Sequence, residues 1–224
     1  MIHAETPDSV TTRLREGFER IALVLRSDLW TASGKAGLNP TQAQVLALLV
    51  ERADGLRAKD IAAHLAVSPP TIADTLAALE RKGLVARGPD PADARAMRVN
   101  LTEEGRQAGR AVTQSKSQVT TALAGLSPAQ QADLLLSQIR IIRSLQLAGA
   151  IPEQRMCVSC RHFRPNAHPG AAQPHHCAFV NAAIGDRDLR LDCGEHEAAA
   201  PSIQSANWMS FETGQPPFQA TQET

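Results

Sequence analysis

Residues 61–101 read IAAHLAVSPPTIADTLAALERKGLVARGPDPADARAMRVNL. Ile61, Ala62 and Leu65 fall at helical spacing, and only Val67 and Ser68 separate them from a second helical pattern. Ser68 suits an N-cap because its hydroxyl can accept from an unpaired amide of the first turn, and Pro69 follows at the one helical position that needs no N–H donor. Ile72, Leu76 and Leu79 then mark an inward stripe, which assigns Thr71, Asp74, Thr75, Ala78 and Lys82 to the opposite face. Gly83 closes the helix. Leu84–Arg87 reads as a short strand, Gly88–Asp93 as a turn rich in Gly, Pro and Asp, and Met97–Leu101 as the returning strand.

Two helices across a tight turn, followed by a hairpin, predict a winged helix-turn-helix. Upstream, Val10, Leu14, Phe18, Ile21, Leu25 and Leu29 form one stripe of a long helix that ends at Gly34 and Gly37, and Asn39-Pro40 opens a short buried helix carrying Val45, Leu46, Leu48 and Leu49. Downstream, Thr102 caps a helix running toward Gly125, and the capping box Ser127-Pro128-Ala129-Gln130 opens another through about Ala148. In this last helix Leu134, Leu135, Ile139, Ile142 and Leu145 lie on more than one face, so it needs a packing partner beyond the winged helix.

The expected fold is mainly α, a winged helix-turn-helix with a small β-hairpin wing, plus a small irregular metal-binding module. The domain division that follows is 1–150 for the winged-helix part, 151–197 for the four-cysteine module, and 198–224 for a mostly flexible C-terminal tail, to which Trp208, Phe211 and Phe218 offer the few anchors. With 43% hydrophobic and 21% charged residues the chain is neither disordered nor a rod. Basic and acidic residues balance at 23 each, yet segments differ: residues 107–150 sum to +3 and 151–224 to −3, so overall neutrality does not exclude a nucleic-acid partner. Without an apolar signal segment or a run of eighteen apolar residues, the expected location is the cytoplasm, with no membrane contact.

All four cysteines lie in the last third: Cys157 and Cys160, then Cys177, then Cys193, a C-x2-C-x16-C-x15-C pattern. A C-x2-C turn presents two thiolates to one centre and two further cysteines complete four ligands; a segment this poor in large apolar side chains needs such a centre for order. Zinc ribbons usually add a second C-x2-C, whereas Cys177 and Cys193 stand alone. The spacing resembles that of the small high-potential iron–sulfur proteins, which implies a [4Fe–4S] cluster, with Zn2+ as the alternative. His176 or His196 is able to replace a cysteine, although a supporting role suits them better once four sulfurs are present. His64 reads as a solvent-facing helix residue.

Leu38-Asn39-Pro40-Thr41-Gln42-Ala43-Gln44-Val45-Leu46, Leu79-Glu80-Arg81-Lys82-Gly83-Leu84-Val85, Asp90-Pro91-Ala92-Asp93-Ala94-Arg95 and Leu101-Thr102-Glu103-Glu104-Gly105 occur in the order of the MarR family of regulators, which residues 10–148 resemble. The resemblance implies a homodimer held by its first and last helices. Each protomer would place helix 69–82 in the major groove and wing 86–98 against the minor groove of double-stranded DNA, so that the dimer reads a pseudo-palindromic operator. Thr71 and Thr75 would face base edges, Ser68 a phosphate, and Arg95 the minor groove with Asp93 holding it; Lys82 and Arg98 complete the expected DNA-binding set. A small aromatic or acyl effector is a further partner that the family resemblance allows. No phosphate-cradling loop, paired carboxylates or nucleophile–base arrangement supports an enzyme. The expectation is a regulator, a repressor by preference, whose cluster senses redox or iron state, or else one with a structural zinc and a small-molecule effector.

Overall fold

A computed structural model describes residues 9–216. The chain forms two compact units that meet in sequence between Leu126 and Ser127.

The first unit opens with α1 (Val10–Lys35), capped by Ser9 through Thr12 N, and α2 (Pro40–Val50), whose Asn39 capping box is complete. A two-residue strand β1 (Leu56–Arg57) precedes α3 (Ala58–Leu65) and α4 (Pro69–Arg81). The hairpin β2 (Val85–Asp90) and β3 (Asp93–Leu101) follows, and β1 pairs with β3 to give the antiparallel order β1-β3-β2. The hairpin strands extend through Gly88–Asp90, so the expected turn over 88–93 shrinks to Pro91-Ala92 at the tip, with a register shift between Pro89 and Asp90. The single helix expected from Thr102 to Gly125 is two, α5 (Glu103–Thr113) and α6 (Gln118–Ala124); Ser117 caps the second, and Asp28 of α1 accepts from both Ser117 Oγ at 2.8 Å and Gln118 N at 2.9 Å. Leu46, Leu49, Ile61, Ile72, Leu76 and Leu79 are fully buried and form the core.

Thr102 joins three of these elements. Its Oγ1 donates to Gly83 O (2.7 Å) and accepts from Gly105 N (3.0 Å), while its amide donates to Leu84 O (3.2 Å). A Cβ on Gly105 would collide with that same Leu84 carbonyl, which explains why glycine stands third after Thr102.

The second unit contains α7 (Pro128–Leu147), whose capping box at Ser127 is complete. The boundary expected near residue 150 therefore lies before this helix, because its apolar faces are covered by the cysteine segment: Ile139 shares a core with Met156, Val158, Cys160, Phe163, Leu189 and Phe211. The cysteine segment holds a 3-10 turn (Cys157–Ser159), the antiparallel strands β4 (Phe163–Arg164), β5 (His175–Cys177) and β6 (Ala182–Ile184) in the order β4-β5-β6, and a second 3-10 turn (Asp186–Asp188). It is ordered sheet and turn rather than irregular.

The expected flexible tail is also corrected. Residues 201–213 form α8 (Pro201–Thr213), with Asn207, Ser210 and Phe211 buried. Asn207 Nδ2 donates to Phe163 O at 3.2 Å, Asn166 Nδ2 to Ser210 O at 2.6 Å, and the Phe211 ring packs against Phe163, His175 and Trp208. Buried polar contacts hold this helix as much as apolar ones, so no hydrophobic period announced it. Phe218 lies outside the described residues.

Candidate functional site

Two sites emerge, one in each unit. In the first, α4 begins on Ser68, whose Oγ accepts from Thr71 N at 3.4 Å and lies 2.8 Å from Thr71 Oγ1; both side chains are exposed at the helix start, together with Asp74 and Arg81 further along. Thr75 does not join them. It is 8% exposed and its Oγ1 donates to Thr71 O at 2.8 Å, since 72, 75, 76 and 79 form one inward stripe and Thr75 follows position rather than polarity. Lys82 turns back along the fold, its Nζ donating to Gly37 O (2.8 Å) and Gln42 Oε1 (3.0 Å), and so ties the end of α4 to the start of α2. His64 is half-buried, with Nδ1 2.8 Å from Asp60 O.

The wing is organised by a residue that sequence reasoning passed over. Asp90 has no exposed side-chain surface; its Oδ2 accepts from Arg57 Nε at 2.6 Å and pairs with Arg98 Nε at 3.0 Å, while Oδ1 accepts from Ala92 N at 2.9 Å. The Arg57 hydrogen bond, then the Ala92 amide, hold its carboxyl down to about 2. Arg98 Nη1 also reaches Asp54 O and Gly55 O at 3.3 and 3.4 Å, which places Arg98 at the root of the wing. Asp93 accepts from the Arg95 backbone amide at 3.1 Å and pairs with Arg57 Nη2 at 3.6 Å. Arg95 is exposed one residue beyond Ala94, on the strand just past the Pro91-Ala92 tip. The signal for Asp90 was present in Asp90-Pro91-Ala92-Asp93: an Asp two residues before an amide it can accept from is an Asx-turn.

A second cavity of this unit, about 490 Å3, lies among α1, α5 and α6 and is lined by Asp28, Thr31, Lys35, Ser115, Lys116 and Gln118.

In the second unit, Cys157, Cys160, Cys177 and Cys193 all line one cavity of about 340 Å3, walled by Phe163, Phe179, Val180, Ala183 and Ile184. The 3-10 turn presents the first two, β5 the third, and the loop after Asp192 the fourth. Arg190 N donates to Cys157 Sγ at 3.3 Å. Burial pushes the Cys157 thiol up, and the three other cysteines add to that rise, so four uncompensated thiolates are unfavourable here. Among the described residues no three His, Cys, Asp or Glu side chains are gathered closely enough for a single ion. The imidazole at this cavity is His162, held by Glu197 Oε1 at 3.0 Å, and neither His176 nor His196 lines it. His196 Nε2 lies 3.0 Å from Ser159 Oγ, and burial lowers its pKa; His176 faces His168 at 3.4 Å.

The first unit thus has the architecture of winged helix-turn-helix DNA-binding transcription regulators, which bind and do not catalyse. The MarR family profile matches residues 36–96, which span α2 through the wing. Among solved structures, CouR from Rhodococcus jostii RHA1 bound to p-coumaroyl-CoA is 26% identical, covering 65% of this chain and 97% of its own, with a TM-score of 0.50. A MepR–DNA complex from S. aureus is 25% identical over 58% of this chain and 97% of its own, with a TM-score of 0.48. No curated protein matches the chain by sequence. No helix among the described residues is long and apolar enough to cross a membrane.

Proposed function

We propose that this DNA-binding regulator is a homodimeric repressor whose four-cysteine cavity holds a [4Fe–4S] cluster that reports redox or iron state. The observation supporting a bound centre is that Cys157, Cys160, Cys177 and Cys193 line one cavity of about 340 Å3, and the single Cys177 and Cys193, in place of a second C-x2-C pair, favour a cluster over zinc. The apolar wall and the Arg190 amide on Cys157 Sγ suit a cluster, because exclusion of water and N–H donors to sulfur set its potential. When bound, the cluster would supply a reversible one-electron change and sensitivity to oxidants. Cys157, Cys160, Cys177 and Cys193 would hold it, and the buried Phe163 would limit solvent access on one side. Anaerobically purified protein should show a broad absorption band in the blue together with bound iron and sulfide; a colourless protein carrying zinc would leave the structural-zinc alternative.

On DNA, exposed Ser68 and Thr71 at the start of α4 would meet a phosphate and a base edge, and exposed Arg95 would enter the minor groove. Asp90, Arg57 and Arg98 would act indirectly, by fixing the wing that carries Arg95. The apolar stripe left exposed on α1, Val10, Leu14, Phe18, Ile21 and Leu25, with Ile141 and Leu145 on α7, would form the dimer contact. Arg95→Ala should weaken operator binding by about 1–3 kcal/mol in an anisotropy titration, with the dimer intact by light scattering; unchanged affinity would remove Arg95 from the interface.

The alternative, a small-molecule effector, has its own support. The α1–α5–α6 cavity carries Lys35 and Lys116, which suit an anionic ligand, and CouR binds an acyl-CoA. Saturable binding of p-coumaroyl-CoA that Lys116→Glu removes would favour it.

A further inference from the structure

A third cavity, about 180 Å3, lies within the second unit on the side of the cysteine loop away from the sulfurs, between the end of α7, residues 153–159 and the start of α8. It is lined by Arg143, Gln146, Leu147, Glu153, Met156 and Ser159, with Gln204 at its edge. Two polar atoms there are buried and have no hydrogen-bond partner among the described residues: Arg143 Nε, a donor, and Gln146 Oε1, an acceptor. Native proteins rarely leave such groups unmet, because each costs about 1–3 kcal/mol, so a missing partner is expected.

The Arg143 guanidinium is fixed by stacking, its carbon 4.5 Å above the Trp208 ring. Glu153 is held by Gln204 Nε2 at 3.3 Å, and its charge partly offsets the burial that lowers the Arg143 pKa. The cavity thus presents the Arg143 guanidinium and the Gln146 acceptor, the buried Met156, and, on its exposed rim, Glu153 and Leu147. A simple anion would meet the Glu153 carboxylate and a simple cation the Arg143 guanidinium. A ligand carrying both charges, separated, satisfies both walls. The volume is far above the roughly 10–15 Å3 that one water needs, and below the ~300 Å3 at which drug-sized sites begin.

We propose that this cavity binds a small α-amino acid, with Arg143 receiving its carboxylate, Gln146 Oε1 and Glu153 its ammonium group, and Leu147 and Met156 a short side chain. The site is separate from the cysteine cavity and from the α1–α5–α6 cavity, and shares Met156 and Ser159 with the loop that presents Cys157 and Cys160. Occupancy would therefore bear on the order of that loop.

Isothermal titration calorimetry of the full chain as purified, with glycine, L-alanine and L-serine, tests the assignment. At least one should bind saturably at one site per chain, and propionate and ethylamine, each lacking one of the charges, should bind at least about tenfold more weakly. Glu153→Gln and Gln146→Leu should each weaken binding about tenfold or more, with ligand-free melting unchanged, and neither touches the Arg143–Trp208 stack. Absence of saturable binding by all three amino acids, equal binding of propionate, or wild-type affinity in both variants would overturn the proposal.

Discussion

Each unit of this chain contains a small three-stranded antiparallel sheet that shapes a loop, and the two sheets are stabilised by opposite means. In the wing, β2 and β3 run six and nine residues, so a backbone ladder and the apolar core behind Val85 and Val99 define the shape. One buried charge, Asp90, finishes it, met by two guanidinium groups and an amide. In β4-β5-β6 the strands are only two or three residues long, too short for a ladder to suffice. Side chains replace it: His175 accepts from Asn166 N at 3.1 Å and holds Asp186 at 3.0 Å, α8 closes over Phe163, and four cysteines ring a cavity. A sheet resting on its own ladder leaves its polar residues available for recognition. A sheet without one draws its polar and sulfur-bearing residues inward, around the cavity the cysteines line.

That contrast predicts unequal sensitivity to metal. Cys160→Ala should abolish the blue absorption and melt the second unit's sheet, seen as lost amide-exchange protection over residues 157–193, while residues 10–113 keep theirs. Operator affinity should shift several-fold, because α7, proposed as part of the dimer contact, lies in the affected unit; a protein without bound metal but with wild-type exchange and affinity would break the comparison. Next in size, Ile139→Ala empties a fully buried site and should cost about 4 kcal/mol, confined to the second unit's unfolding transition. Gly105→Ala drives a methyl into the Leu84 carbonyl and should cost about 3 kcal/mol, confined to the first. If either substitution lowers both transitions equally, the two units do not unfold independently. The smallest effect concerns pH. The Asp90 carboxyl is lowered from 3.8 to about 2 in the folded chain, so its contribution is present in full above pH 3.8 and is lost as the pH falls through 2. Asp90→Asn should remove that acid dependence from the first unit's melting, leaving the second unit's profile unchanged.

The sequence made the first unit legible because its helices keep strict apolar spacing and its turns carry Gly, Pro and capping residues at the positions geometry demands. Its errors came from reading side chains by polarity. Thr75, Lys82 and Arg98 looked outward-facing, yet each satisfies a backbone or side-chain partner within the fold, and the decisive carboxylate was Asp90 rather than Asp93. In the second unit the four cysteines of the spacing line one cavity, but neither the sheet nor α8 was legible. Asn166, Asn207 and Ser210 stabilise by single buried hydrogen bonds between residues some forty apart, which leave no periodic trace. Asn166 further adopts a left-handed backbone, φ +51°, which a pattern of hydrophobicity does not encode.

The position of α7 has a practical corollary for anyone dividing this protein into parts. A fragment stopped at Ala150, the natural cut if one follows the regulator pattern alone, keeps the helix but strips Leu135, Leu136, Ile139 and Ile142 of the surface that covers them. It would be a sticky helix appended to a sound winged domain, prone to aggregate and misleading as a stand-in for the regulator. Grafting the cysteine segment onto another host fails for the reciprocal reason, since Met156, Phe163 and Phe211 lose Ile139. The helix belongs to the second unit, and the cysteine segment that resembles an accessory is not detachable from it.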